Sequence, residues 1–237
     1  MLLLNERRLV KTIKFNSPNY IGDPINAVKI FNDKEVDELI IFDIKARKLR
    51  KGPNFKLIES IVSEAFMPIG YGGGIRNLED ARNLFNIGIE KVILNHLIIE
   101  NGSEVIKIIE HFGSQSVVAC INYKRNFWGK HIPYFPETTL KFNYDIKSLA
   151  LNYQKIGVGE IILQSVDKDG TRTGYDIDTM KTIANVLKIP LVIAGGASSI
   201  NDFQFAFKNG ASGVAAGSMF VYNGKHKAVL ISYNNKF

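Results

Sequence analysis

Three glycine-bearing segments carry the first chemical signal. Tyr71-Gly72-Gly73-Gly74-Ile75, Ala194-Gly195-Gly196-Ala197-Ser198 and Ala216-Gly217-Ser218 each end a short apolar run. Glycine lets backbone approach a bound group closely, and N–H groups at a helix start favour an anion. Phosphate fits such loops; a tight turn is the alternative use of the same residues. The polar stretch Ser165–Thr171 reads as a ligand loop or as a solvated Asp-Gly turn. Asp43 also ends an apolar run, where it would orient a ligand or pair with Lys11 or Lys45.

The elements that must position these residues alternate. β-rich apolar runs lie at 2–4, 38–44, 67–71, 91–95, 117–122, 160–166, 190–194 and 213–218. Their lack of polar alternation fits strands buried on both faces, as in a parallel sheet. Helical patterns lie between them. Asp23-Pro24, Asn77 and Ser103 read as helix starts, and Gly88, Gly113, Gly157 and Gly210 as stops. Eight such units with no linker predict an α/β chain forming a single (β/α)8 TIM barrel over residues 1–237, its last helix curtailed. A doubly wound open sheet is the rival and normally has fewer strands.

The halves match each other. Glu38 falls opposite Glu160 and Lys91 opposite Gly213, 122 residues apart, and Gly72 opposite Gly195 at 123. This reads as a half-barrel duplication. Ligands of such barrels sit at the C-terminal strand ends. Gly74, Asn95 and His96 would then serve one phosphate, and Gly170, Gly196, Gly217 and Ser218 a second, so the ligand would be elongated and bisphosphorylated.

Composition narrows the class. The 237 residues are 46% hydrophobic and 22% charged, which excludes collagen, coiled coil and disorder. A single cysteine, Cys120, excludes an internal disulfide and a cysteine-based zinc site, and points to a reducing, cytoplasmic compartment. No apolar run reaches a membrane-spanning length. The net charge of +7 is scattered, which favours an anionic small molecule over nucleic acid as partner. No cofactor and no metal are expected.

The segments RLVKTIKF, GDPINAVKIFNDKEVDELIIFDI, YGGGI, EKVILN, FGSQSVVACINYKR, GVGEIILQSVDKDGTRTGYD and IAGGA together resemble the cyclase subunit of imidazole glycerol phosphate synthase, along nearly the whole chain. The resemblance implies a duplicated half-barrel and a heterodimer with a glutaminase subunit. The ammonia so delivered attacks a bisphosphorylated ribulosyl imidazole-carboxamide. Phosphate contacts carry over to Gly74, Asn95, His96 (commonly Thr in the family), Asp169, Gly170, Gly196, Gly217 and Ser218. Glu38, Lys91 and Glu160, each just before an apolar strand, become the charged gate where ammonia enters; solvated strand ends are the plain reading of the same residues.

The departures concern catalysis. The family's general acid and base, ending the first and fifth strands, align with Leu3 and Asn122, and neither residue exchanges a proton near neutrality. Gln164 and Ala194 replace small hydroxyl residues usual at the site. Lys11, Asp43 and Asp169 remain at the mouth beside Asn122, with Asp169 expected to orient a ligand. The chain starts too late to carry the gate Arg that the family has upstream of its first strand. LLL at the first strand, NFWGK and FVYNGKHKAVLISY resemble a branch of the family found in surface-polysaccharide gene clusters, which is thought to serve a sugar amidotransferase. Three functions follow: an ammonia-dependent lyase/cyclase, a channel or scaffold passing ammonia to that amidotransferase, or a plain phosphate-binding barrel. Leu3 and Asn122 favour the second.

Overall fold

The computed structural model describes residues 1–136, 144–224 and 226–233. Among the described residues, eight parallel strands follow one another around a curled sheet: β1 (Leu2–Asn5), β2 (Leu39–Asp43), β3 (Ile69–Gly72), β4 (Lys91–Leu94), β5 (Val117–Arg125), β6 (Glu160–Ser165), β7 (Leu191–Ala194) and β8 (Gly213–Ala215). Each pairs with its predecessor. The Met1 amino group donates to Ala216 O at 2.7 Å and bridges β8 to β1. The architecture is a (β/α)8 barrel.

The apolar runs split by parity. Leu39, Ile41, Ile69, Tyr71, Val92 and Leu94 pack outward against the helices, in the larger core. Ile40, Ile93, Val118, Cys120, Ile162, Ala194 and Ala215 fill the interior. Burial on both faces is why these strands carry no polar alternation.

Among the described residues, seven helices cover the sheet: α1 (Pro24–Asp33), α2 (Phe55–Val62), α3 (Leu78–Ile87), α4 (Gly102–Phe112), α5 (Ile146–Ile156), α6 (Ile177–Ala184) and α7 (Ile200–Lys208). Asp23 caps α1 and Asn77 caps α3, as their sequences predict. Gly88 and Gly157 end α3 and α5 in the left-handed region. The start of α4 differs from expectation: Asn101, not Ser103, accepts the Glu104 N–H, and Ser103 bonds the Asn101 side chain instead. After β8 the described residues make the short helix Ser218–Val221 and a small antiparallel hairpin, Tyr222–Asn223 with Ala228–Val229; residues 234–237, in the curtailed last unit, lie outside the described residues.

The sequence reading missed a hairpin. Residues Arg8–Ile13 and Asn16–Gly22 pair antiparallel and extend the sheet beyond β1. A second hairpin joins the end of β5 to His131–Pro133. Both rise from C-terminal strand ends, and Phe15 of the first faces Tyr134 of the second, ring centroids 6.2 Å apart.

The duplication is real, with one constant offset. Asn95 and Gly217 share the same unusual backbone conformation before the short helices His96–Glu100 and Ser218–Val221 (φ −130°, ψ −75° and φ −133°, ψ −70°). Gly73 packs on the Asp43 carbonyl and Gly195 on the Ser165 carbonyl. All these pairs are 122 apart, so the offset of 123 for the glycine loop is corrected: Gly72 is a strand residue packed against Phe42 and corresponds to Ala194.

Candidate functional site

One pocket at the C-terminal mouth gathers the phosphate residues of the second half together with Lys11 and Asp169. Lys11, Asp169, Gly170, Gly196, Gly217 and Ser218 line it, with Leu3, Gln164, Thr12, Arg172 and Ala197. The missed hairpin supplies Lys11 and Thr12, both buried although polar. Lys11 Nζ donates to Met1 O at 2.6 Å and rests against Gly217, where any Cβ would collide with it. Burial lowers the Lys11 pKa to about 8, with Asp169 pulling in the opposite direction. Thr12 Oγ1 donates to Asp169 Oδ2 at 2.9 Å. Burial raises the Asp169 pKa against the stabilising Thr12 hydrogen bond and Lys11 charge. The loop 165–171 therefore faces the pocket and is not a solvated turn. Arg172 and Thr12 were missed; an arginine inside a Gly-flanked polar loop, and adjacent Lys-Thr in an apolar strand, were the available signals.

The geometry revises how the glycine loops meet an anion. Ahead of α7, Asp202 accepts the N–H groups of Ser198 and Ser199 and the Ser198 hydroxyl. Ahead of α3, Asp80 accepts the Arg76 N–H and pairs with its guanidinium. These donors at the helix starts are thus spent within the protein, and Gly195–Ala197 carry the approach to the pocket.

The other proposed phosphate residues lie after β3 and β4. Asn95 Nδ2 donates to Cys120 O at 2.6 Å, leaving its buried Oδ1 without a partner among the described residues. That atom can accept from a ligand hydroxyl or N–H, or from a protonated phosphate oxygen. His96 Nε2 pairs with Pro136 O at 2.7 Å, and its ring meets Phe135 edge-on. Burial, with the Arg47 charge, lowers its pKa and favours the neutral ring. Gly74 packs on Ala46. Asp43 pairs with neither lysine side chain: its Oδ1 accepts the backbone N–H groups of Lys45 and Ala46, both at 2.9 Å. The expected Lys11 or Lys45 ion pair is therefore replaced by a loop cap.

Asn122 is buried beside Gln164, its register partner on β6. Cys120 Sγ lies 3.5 Å from Asn122 Oδ1. Leu3 lies on β1, lining the pocket.

At the opposite barrel end, Lys91 Nζ reaches Glu38 Oε2 at 2.9 Å and Glu160 Oε2 at 3.2 Å. Burial works against the Lys91 ammonium, and the Glu38 hydrogen bond with both carboxylate charges outweighs it, raising its pKa. Burial raises the Glu160 pKa against the opposing charge and hydrogen bond of Lys91, and the Glu38 charge adds to the rise. The triad is a closed electrostatic unit, not a row of solvated strand ends. Among the described residues, no helix is long and apolar enough to cross a membrane.

A family model described as histidine biosynthesis protein matches residues 2–227. A Pseudomonas aeruginosa protein provisionally named imidazole glycerol phosphate synthase subunit hisF2 is 47% identical over 98% of this chain and 93% of its own. A Leptospira borgpetersenii protein provisionally named as subunit HisF of the same synthase is 45% identical, covering 99% and 93%. The HisF subunit of Alkaliphilus metalliredigens is 35% identical over 91% and 86%. With a matching barrel, a duplicated loop system and this near-full-length similarity, the chain belongs to the histidine biosynthesis protein family, among its HisF-like cyclase-subunit homologues.

Proposed function

We propose that this barrel takes ammonia from a glutaminase-type subunit docked over the Glu38–Lys91–Glu160 end, holds a phosphorylated ligand at Gly196, Gly217 and Ser218, and passes the ammonia on to a separate acceptor enzyme. The acceptor class is a sugar amidotransferase. One observation carries this reading: Leu3 and Asn122 stand on β1 and β5 at the two positions where the family resemblance places the general acid and base, while the charged triad at the other end is intact.

The test is turnover of the bisphosphorylated ribulosyl imidazole-carboxamide with ammonium salt at mildly alkaline pH. Each missing acid–base group costs about 10²–10⁴-fold, so the parent is expected near background, with some turnover in the Leu3→Asp/Asn122→Asp double variant. Enzyme-like turnover by the parent overturns the reading.

A second reading, the full lyase/cyclase, rests on Lys11. Its pKa, lowered to about 8 by burial, suits proton transfer near neutrality, and Asp169 lies beside it. Under this reading the parent turns over and Lys11→Met abolishes the activity.

A further inference from the structure

Phe127 and Trp128 are 96% and 85% exposed, at the tip of the hairpin that continues β5 beyond the barrel mouth. This tip is built rather than loose. Asn126 N donates to Lys130 O and Gly129 N to Asn126 O, at 2.9 and 3.0 Å. Asn126 Oδ1 accepts the N–H groups of Trp128 and Lys130. The two rings stand at 89° with centroids 5.9 Å apart.

The hairpin's base is fastened to the barrel on two sides. Asp167 on the β6 loop accepts the Arg125 N–H at 2.7 Å. Asp176, ahead of α6, accepts the Tyr123 hydroxyl at 3.0 Å, and Thr179 Oγ1 meets His131 Nδ1 at 2.8 Å. Arg125 and Lys130 stay exposed around the aromatic pair. The nearby carboxylates are engaged: Asp167 and Asp176 as above, and Asp145 on the Ser148 N–H.

Large aromatics held rigidly in water give up burial without recovering chain entropy, which is the design of an interface anchor. We infer that this hairpin is the dock for the ammonia acceptor, a separate enzyme presenting an apolar cleft rimmed by carboxylates. The inference rests on the ammonia-passing reading and names where the transfer occurs. Ammonia released into neutral water is protonated and ceases to be a nucleophile, so a barrel that does not consume it needs the acceptor seated at its mouth. The hairpin springs from β5 three residues beyond Asn122, at that mouth. The fixed right-angle rings and the compact basic rim fit a shaped, acid-rimmed protein cleft better than a fluid membrane interface.

The test places a photo-crosslinking benzoylphenylalanine at position 128 of the full chain in its host and identifies the captured protein. That protein, purified, is then assayed with the barrel and its glutaminase. The expected result is an amide- or amidine-forming enzyme whose glutamine-dependent amination falls at least 30-fold with Phe127→Ser/Trp128→Ser and less steeply with Lys130→Glu. Its amination by ammonium salt is unchanged, and so is the melting temperature of both variants.

Glutamine-dependent transfer that survives the double variant sinks the hairpin dock and leaves the ammonia-passing reading standing. A captured enzyme that the parent barrel never feeds sinks both. Crosslinks confined to a second copy of this chain overturn the inference. So does sedimentation with phosphatidylglycerol vesicles that depends on the two aromatics in the absence of a captured enzyme.

Discussion

Lys11 carries its charge into a pocket walled largely by backbone and small side chains. In the unfolded chain a lysine keeps its proton to about pH 10.4; in the fold Lys11 loses it near pH 8, because burial disfavours the cation. Between these values the unfolded state binds more protons, so stability rises with pH across that window. In anion-poor buffer, the parent is therefore expected to gain about 2 kcal/mol of stability relative to Lys11→Met as pH rises from 8 to 10.4. Urea unfolding at the two pH values checks it; a difference that stays constant contradicts the burial argument. A bound phosphate would hold the ammonium in place and remove the trend.

At the scale of elements, paired loops need shape as well as glycine. Gly195 has φ +89°, and a Cβ there would lie 2.6 Å from the Ser165 carbonyl oxygen. Gly224 has φ +69°, and a Cβ would meet nothing within 4 Å. Left-handed backbone alone costs an alanine about 1 kcal/mol, whereas the carbonyl contact forces strand β6 or the loop to move. Gly195→Ala is expected to lower the melting temperature by at least twice as much as Gly224→Ala, read by calorimetry; equal shifts would show that the loop yields freely.

The strands were legible because burial on both faces leaves uniform apolar runs, and the loops because close backbone approach demands glycine. The Arg8–Gly22 hairpin was not, for physical reasons. Its first strand buries four consecutive residues, Lys11 and Thr12 among them, and its second is mostly exposed and contains Pro18, so neither shows a period of two. The pocket's cation was consequently read without the strand that aims it. The charged triad was legible as three charges before three strands, but its closure around the Lys91 ammonium depends on pairing across the barrel.

At the scale of the whole molecule, the two halves meet at two unequal seams. Between β4 and β5, Val92, Ile93 and Leu94 pair in register with Val117, Val118 and Ala119. Between β8 and β1, no ladder forms among the described residues, and the Met1 amino group bridges the gap by donating to Ala216 O. Cooperative openings follow such weak joints. Amide protons at 213–215 are therefore expected to exchange with solvent deuterium through a local parting of the ring, at a rate nearly independent of low urea. Those at 117–121 should exchange only when the whole chain unfolds, with the full urea dependence of that event. The barrel would then behave thermodynamically as a clasped band with a hinge on one side and a latch on the other. A phosphorylated ligand, touching Gly217 and Ser218 on one side of the latch and Lys11 on the other, would slow the exchange at 213–215 without altering that at 117–121.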